Sequence, residues 1–367
     1  MTKLLLRRNV PYTIMLAVIL LSSGFQPGPK TIVLHGEHLS VTPKEFYIAD
    51  VVDERENRNE IAWLLPVAGK DNTQLKPYPA DLEGGGLKAI KQFIERSLPK
   101  NKALRPVTIR LKKFVVIETY LTGGRVEGHI SLTMSFDLQR GNDDPMHLAD
   151  YSGSANYNRK AGPPQEIEPT LRRVLEDGLL YLNTWMDKQA DTNIKLAKEV
   201  KVTFTDYKEK KEDDTIYYSA KRPLTWDDFK ADVPSSKYDA ESFPGFGYYE
   251  HAEVVKGILK VELAIKVYLP KSASWVKDYA RTPYALNHEQ RHFDIVKIVA
   301  EHFKKKISTE PLPVSNFEGP INVEYLESFR EMNRLQKQYD NETRHGSDQT
   351  AQQRWNDKID AELGVKR

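Results

Sequence analysis

The sequence contains no cysteine among its 367 residues. Disulfide bonds and thiolate metal sites are therefore excluded, so any bound metal must be held by histidine, aspartate, glutamate or water. The chain also lacks an excess of one charge, because its formal net charge is only +2. A nucleic-acid-binding protein usually shows a strong basic excess or a basic stripe, and neither is present. We therefore expect no nucleic-acid partner.

The sequence has no apolar run that approaches the roughly 20 residues needed to span a bilayer. The run Ile14–Leu21 follows basic residues and precedes small ones, which are Lys3, Arg7, Arg8, Ser22, Ser23 and Gly24. This order is typical of a secretory signal peptide, which we predict over residues 1–24. An uncleaved anchor aided by Leu4–Leu6 is the alternative. We expect a secreted or periplasmic mature protein that begins near Phe25 and has no membrane span.

Residues 30–205 show the patterns of one mixed domain. Apolar residues alternate strictly with other residues over Ile130–Leu138, which is the period of a half-buried strand. The turn Leu121–Gly124 predicts a hairpin between this strand and the β-rich stretch Val107–Tyr120. Apolar residues at helical spacing over Leu171–Met186 predict an amphipathic helix on the sheet. We predict an N-terminal α/β sandwich-like domain of unknown role, with an envelope protein as its expected partner.

A mixed charge run without apolar residues, Lys208–Asp214, follows this region. Such runs are usually solvated, so we predict a charged linker over residues 206–216. The remaining residues, 217–367, form the second predicted domain. The fold class that we predict is α+β with two domains.

The second region contains a predicted strand followed by helices. Alternate residues of Leu259–Leu269 are apolar and predict a strand with one buried face. Thr282 is a good N-cap, and proline at the first helical position, as in Pro283, favours the start of a helix. A further helix is predicted over Val323–Gln338.

The first of these helices carries the pattern H-E-x-x-H at His288, Glu289 and His292. Residues four apart lie on one helix face, about 6 Å apart along the axis, so both imidazoles can reach one ion. Zinc suits this pair because it takes neutral imidazole nitrogen at about 2.0–2.1 Å. Glu289 can then take a proton from zinc-bound water and pass it to a leaving amine. A solvated helix face with two idle histidines is the alternative interpretation.

A catalytic zinc site needs a third protein ligand. His302 is excluded because it lies about 15 Å along the helix from His292. Ile298 stands where the metzincin pattern has its third histidine. The third ligand must therefore come from another part of the chain, and the candidates are His251, Glu324, Glu327, Asp340, Glu342 and His345.

The stretch Tyr339–Gly346 concentrates ligand-capable groups just after the predicted helix, and Gly346 would permit a turn that aims His345. We therefore predict His345 as the third zinc ligand, with Asp340 second and Glu327 third in rank. A polar C-terminal loop without a metal is the alternative. Tyr339 is predicted to be catalytic, as a hydrogen-bond donor to the oxyanion of a tetrahedral intermediate.

Several blocks of this region resemble a bacterial family of secreted zinc-dependent proteases that is catalogued as a domain of unknown function. The blocks are LTWDDF at 224–229, SWV at 274–276, NHEQRHFDI at 287–295 and YDNETRHG at 339–346, followed by Gln349 and Trp355. The resemblance covers residues 217–355. It implies a zincin-like metallopeptidase domain with His288 and His292 as ligands and Glu289 as the catalytic acid and base. Arg291 stands where a smaller residue is expected, which would narrow the cleft.

These observations predict an exported zinc metallopeptidase, a hydrolase that acts on a peptide or protein substrate. A substrate in extended conformation would pair with an edge strand of the sheet. One alternative is a non-catalytic envelope binding or assembly module with a structural metal or none. Another is hydrolysis of a different bond, such as an amide of cell-wall peptide.

Overall fold

The computed structural model describes residues 30–66, 76–122, 125–141, 144–160, 164–208 and 213–365. The predicted signal peptide, the tip of the predicted hairpin at Gly123 and Gly124, and residues 209–212 of the predicted linker lie outside these ranges. The described residues form a mixed α+β structure with several sheets and five α-helices. No helix among them is long and apolar enough to cross a bilayer.

The first sheet has seven strands, which are β1 (Lys30–Ile32), β2 (Phe46–Asp53), β3 (Ala62–Leu64), β4 (Tyr78–Leu82), β5 (Arg105–Tyr120), β6 (Arg125–Leu138) and β7 (Met146–Lys160). Their order is β1-β4-β3-β5-β6-β7, and β2 pairs with β5. The helices α1 (Gly86–Ser97) and α2 (Glu168–Gln189) pack against this sheet.

The patterns predicted for this sheet are confirmed. The alternating apolar residues of β6 are all buried, and β5 and β6 form the predicted antiparallel pair. The apolar face of α2 is buried from Leu171 to Met186 and packs against β6 and β7. Burial of each large apolar side chain stabilises the fold by about 1.5–3 kcal/mol.

The second sheet contains β8 (Glu199–Asp206), β9 (Thr215–Tyr217), β11 (Gly245–Val255) and β12 (Ile258–Pro270). Its order is β11-β12-β8, and β9 pairs with β12. A separate two-stranded ladder joins β10 (Ala240–Glu241) and β13 (Trp275–Val276). The three C-terminal helices are α3 (Pro283–Thr309), α4 (Glu318–Thr343) and α5 (Gln349–Leu363).

Strand β8 lies outside the seven-stranded sheet, although it falls within residues 30–205, which are predicted to form one N-terminal domain. It pairs in parallel with β12, from Glu199 opposite Ile258 to Asp206 opposite Ile265. The buried apolar residues divide at the same place, because Leu196 packs in one cluster and Ala197 in the other. The apolar cluster of the first sheet thus ends at Leu196, before the predicted domain limit at residue 205. The division into two domains stays a prediction.

The structure around α3 follows from local sequence. The predicted apolar face of β12 is buried from Leu259 to Leu269 and packs against α3. The Thr282 hydroxyl accepts a hydrogen bond from the backbone N–H of Ala285 at 3.1 Å, and Pro283 follows as the first helical residue. This cap satisfies one of the N–H groups that a helix start leaves unpaired. The cap fixes the residue at which α3 begins. It therefore helps to determine which side chains of α3 face β12 and α4.

Helix α4 is longer than predicted. It continues beyond Gln338 to Thr343, so Tyr339 and Asp340 lie on its last turns and not in a following loop. The helix ends because Arg344 takes a left-handed conformation with φ of 52°. Asp340 therefore projects from a rigid element that packs against α3.

Candidate metal centre

Three ligand atoms converge between α3 and α4. Nε2 of His292 lies 3.0 Å from Oδ1 of Asp340, and Nε2 of His288 lies 3.3 Å from the same oxygen. The two Nε2 atoms are 3.3 Å apart. Ligands at about 2.0–2.1 Å from a tetrahedral metal ion are separated by about 3.3 Å, so the triangle has dimensions that suit a bound metal ion. Within the described residues, this is the group whose ligand atoms lie close enough together to hold an ion.

The position of both histidines on α3 explains their convergence. The four-residue spacing places His288 and His292 on one helix face, where their ring centroids are 4.9 Å apart and their planes nearly perpendicular. Both rings are largely buried. Asp340 reaches them from α4, which packs alongside α3.

Two glutamines fix the tautomers of these histidines. Nδ1 of His288 lies 2.9 Å from Oε1 of Gln352, and Nδ1 of His292 contacts Oε1 of Gln336. An amide oxygen only accepts hydrogen bonds, so each Nδ1 carries the proton. When the ring is neutral, each Nε2 therefore presents its lone pair to the triangle, as a metal ligand requires.

The orientation of Gln352 is itself determined by its neighbours. Its Nε2 donates to the Tyr339 hydroxyl at 2.6 Å and to Oδ1 of Asn356 at 3.0 Å. The Tyr339 hydroxyl in turn donates to the backbone carbonyl of His288 at 3.2 Å. A closed chain of hydrogen bonds thus runs from the His288 ring back to the His288 backbone. It holds that ring in one orientation before any ion binds.

Glu289 presents an unpaired carboxylate oxygen beside the triangle. The residue is only 4% exposed, and its Oε2 is buried without a hydrogen-bond partner among the described residues. Such a group costs about 1–3 kcal/mol of stability, or more when it is charged. Glu289 lines the same cleft as His288, His292 and Asp340. An unpaired carboxylate at that position is suited to accept a proton.

The charges of the site shift two pKa values. Burial alone would lower the pKa of His292, but Asp340 and the charge of Glu289 outweigh it and raise that pKa to about 8. Burial would raise the pKa of Asp340, but the adjacent His288 and His292 hold it well below its ordinary value. Oδ1 of Asp340 is buried and receives no hydrogen bond of regular geometry. The donor set therefore fits a divalent cation.

An open cleft of about 790 Å³ gives access to this group. One wall is the segment 237–244, which contains β10, and another is the turn 344–347 after α4. Phe243 and Tyr284 are exposed within it. The cleft is large enough for several residues of a peptide, since ligand sites usually measure about 300–1,000 Å³.

The structure places Tyr339 beneath the site and not in the cleft. Its ring is fully buried and stacks on His288 at 4.8 Å between centroids. Its hydroxyl is engaged by Gln352 and by the His288 carbonyl, and burial raises its pKa. The predicted role as an oxyanion donor does not agree with this position. Tyr339 supports the ligands by packing and by orienting Gln352.

His345 lies beside the triangle but is not a member of it. Nδ1 of His345 is 3.5 Å from Oδ1 of Asp340, and the ring packs against that of Tyr238 in a tilted arrangement, with centroids 4.4 Å apart and an interplanar angle of 40°. The structure thus places the second-ranked candidate, Asp340, where the third ligand was expected. The difference arises because α4 extends through Asp340 and points its side chain at α3.

The other candidates serve different purposes. Glu327 pairs with Arg330 on the surface of α4, and His251 is exposed on β11. Glu324 accepts from Lys306, and Glu342 accepts from the Trp355 ring nitrogen at 2.8 Å. They do not belong to the convergent group.

Arg291 does not narrow the cleft. Its side chain is completely buried on another side of α3, where it contacts Asp294 at 3.1 Å, Asp360 at 2.5 Å and Asn356 at 3.0 Å. It connects α3 with α5 and stabilises the arrangement of the helices. Arg291 within the H-E-x-x-H pattern therefore holds α5 against α3.

Gln336 and Gln352 are the site residues that sequence reasoning missed. Gln336 precedes Asp340 by four residues on α4, so a helix through Asp340 would have placed the two on one face. Gln352 lies on α5, and its contact with His288 depends on how that helix packs. No spacing in the sequence indicates that contact.

Comparison with known proteins gives little further information. No family model and no curated protein matches the sequence. Protein XCC0632 from Xanthomonas campestris, of the family model DUF330, is 10% identical, with 43% of this chain and 94% of that chain covered and a TM-score of 0.25. An uncharacterized protein is 8% identical, with 42% of this chain and 98% of that chain covered and a TM-score of 0.24. Likenesses at these scores carry no argument about fold or function.

Proposed function

We propose that this protein is an exported zinc-dependent peptidase whose second region, residues 217–367, is a zincin-like metallopeptidase domain. The observation that carries the proposal is the triangle of His288, His292 and Asp340 with an unpaired Glu289 oxygen beside it. Catalytic zinc sites have three protein ligands, whereas structural sites have four. The open cleft beside the triangle supports the catalytic type.

The chemistry divides between the ion and the chain. When bound, zinc supplies Lewis acidity toward a substrate carbonyl and lowers the pKa of water. Glu289 Oε2 takes the proton of the water that attacks the carbonyl carbon. The same oxygen then gives the proton to the leaving amine nitrogen as the carbon–nitrogen bond breaks. The buried position of Glu289 keeps bulk water from competing for that proton.

The shape of the cleft supports an extended peptide as substrate. Strand β10 lines it and uses one edge to pair with β13. In an antiparallel pair, successive residues direct their backbone groups to opposite edges, so one residue in two is available to another strand. A peptide in extended conformation could add to β10 in this way and cross the triangle.

The substitution Glu289→Gln tests this proposal. The amide has nearly the shape of the carboxylate but cannot accept the proton, so zinc should stay bound while hydrolysis of a fluorescence-quenched peptide falls by about 10²–10⁴-fold. Glu301→Gln, on the surface of the same helix, is the matched control and should leave hydrolysis unchanged. Equal activity of wild type and Glu289→Gln would refute the catalytic role.

A further inference from the structure

Strand β7 is a long sheet edge without the usual protection against pairing. It is the outermost strand of the seven-stranded sheet, and among the described residues it pairs with β6 alone, in regular register from Tyr151 to Asn158. Proteins usually protect such an edge with charged side chains, proline or a bulge. The segment 151–158 reads YSGSANYN and has no charged residue and no proline. Its edge is therefore suited to accept a further strand.

The two faces of this segment have different chemistry. Tyr151 and Tyr157 pack partly buried against the apolar cluster that α2 shares with the sheet, where the Tyr151 ring lies 5.3 Å from the Tyr181 ring of α2. The opposite face is exposed and carries four small polar side chains, which are Ser152, Ser154, Asn156 and Asn158. A strand that continues both faces must therefore present aromatic rings on one side and small polar groups on the other.

The segment itself meets this requirement, because its sequence is nearly symmetric about Ser154. The residues that the symmetry relates are Tyr151 with Tyr157, Ser152 with Asn156, and Gly153 with Ala155. When two copies of one strand pair antiparallel around a two-fold axis, each residue before the axis faces its counterpart after the axis on the other copy. A register centred on Ser154 thus matches rings with rings and small residues with small residues. A register centred on Gly153 would instead place each ring opposite an alanine.

The charges that flank the segment also favour this register. Asp150 and Lys160 are exposed on the same face of β7 as Ser154. In the register centred on Ser154, Asp150 faces Asn158 of the second copy and lies diagonal to Lys160 of that copy. Diagonal neighbours of an antiparallel pair are about 7–8 Å apart, which long side chains can span. The two-fold axis therefore produces this attraction twice.

We propose that the protein forms a two-fold symmetric homodimer in which β7 pairs antiparallel with β7 of a second copy, centred on Ser154. The pairing joins the two seven-stranded sheets into one continuous sheet and gives partners to the outward backbone groups of both edges. It also covers the outer sides of Tyr151 and Tyr157. The inference is independent of the proposed peptidase function, since the cleft is lined by residues of the second region.

Disulfide cross-linking tests both the pairing and its register, because the chain contains no cysteine of its own. Residues directly opposite in an antiparallel pair have Cβ atoms about 4.5–5.5 Å apart, close to the span of a disulfide. Under mild oxidation, Ser154→Cys should therefore form a covalent dimer. Ser152→Cys should stay monomeric on a non-reducing gel, because its two copies would lie about 13 Å apart along the strands. Combining Ser152→Cys with Asn156→Cys should restore the covalent dimer.

Sedimentation equilibrium of the purified protein tests the dimer without cross-linking. Wild type should have twice the mass of one chain. Ser154→Lys places two ammonium groups opposite each other at the axis, so the dissociation constant of its dimer should rise by about 100-fold or more. Thr119→Lys is the matched control, because Thr119 is exposed on β5 and β6 separates it from the edge. It should dimerise like wild type, and both variants should keep the wild-type circular dichroism spectrum.

Three results would overturn the proposal. Wild-type protein that stays monomeric at every concentration tested would show that the edge does not pair with its own copy. A Ser154→Lys variant that dimerises as tightly as wild type would show that the dimer uses another surface. Equal cross-linking of Ser154→Cys and Ser152→Cys would contradict the register centred on Ser154.

Discussion

At the scale of single residues, metal binding depends on which ring nitrogens of His288 and His292 carry protons. His288 and His292 direct Nε2 to the triangle because Gln352 and Gln336 accept from Nδ1. The second layer consists of neutral amides, whereas carboxylates and backbone carbonyls are the commonest partners of zinc-bound histidines. The site thus concentrates its negative charge in Asp340 and Glu289, on the side that faces the cleft.

Removal of the Gln352 amide should weaken zinc binding. Gln352→Leu deletes the acceptor for His288 Nδ1, so both tautomers and ring orientations become accessible in the metal-free protein. We expect the zinc affinity to fall by about 10–100-fold, measured by competition with a chelating dye. The neighbouring Gln353→Leu is the matched control, because Gln353 is exposed and its side-chain amide donates to Asp357 at 2.9 Å. Equal affinities in the two variants would contradict the positioning role.

The pKa of His292, raised to about 8, predicts opposite pH effects on the two forms of the protein. A raised histidine pKa stabilises the metal-free fold below the unfolded value of about 6.5, and this stability is lost as the pH rises through 8. Zinc must displace that proton, so its apparent affinity should fall about tenfold per unit below pH 8.

Melting curves with a chelator and with zinc, recorded from pH 6 to 9, measure both effects. As the pH rises from 6 to 9, the melting temperature of the metal-free protein should fall, while the increase in melting temperature caused by zinc should grow. A zinc-dependent shift of the melting temperature that does not change with pH would contradict the assignment of His292 as a ligand.

At the scale of elements, the site is a contact between α3, α4, α5 and the turn that follows α4. The predicted α3 and its N-cap are present in the structure, because capping and apolar periodicity are local signals. The end of α4 was misplaced by five residues, from Gln338 to Thr343, because its polar last turns carry no apolar periodicity. That error explains why His345 ranked above Asp340.

Gly346 should be needed for both stability and metal binding. Gly346→Ala places a Cβ 3.3 Å from the His288 ring at a φ of 78°. Gly364→Ala is the matched control, since its φ is 66° and nothing lies within 4 Å of its Cβ. We expect each variant to lose about 1–2 kcal/mol in chemical denaturation from the left-handed backbone. Only Gly346→Ala should also weaken zinc binding, and equal zinc affinities would contradict the packing of the turn on His288.

At the scale of the whole molecule, pairings between distant strands were the least predictable feature. The alternation of β8 identifies a strand, but nothing in Glu199–Asp206 indicates that its partner is β12, about sixty residues later. The sequence of α5 likewise does not indicate that this helix packs next to His288. Local patterns therefore predict the elements, while tertiary packing selects which elements meet.

The pairing of β8 predicts where the chain can be divided. A fragment that begins at Ala190 retains β8, whereas one that begins at Asp213 keeps β9 but exposes the edge of β12 and removes Val202 and Phe204, which pack partly buried against the second cluster. We expect the longer fragment to unfold cooperatively and the shorter one to aggregate or melt at a lower temperature. Equal melting temperatures would show that β8 contributes nothing to the second region.

The zinc content of the purified full-length protein, after dialysis against a metal-free buffer, decides whether the triangle is a metal centre. We predict one zinc ion per wild-type chain, and loss of that zinc in Asp340→Ala but not in His345→Ala. Wild-type protein without zinc after incubation with the ion, or Asp340→Ala that retains it, would contradict the assignment of His288, His292 and Asp340 as a metal centre.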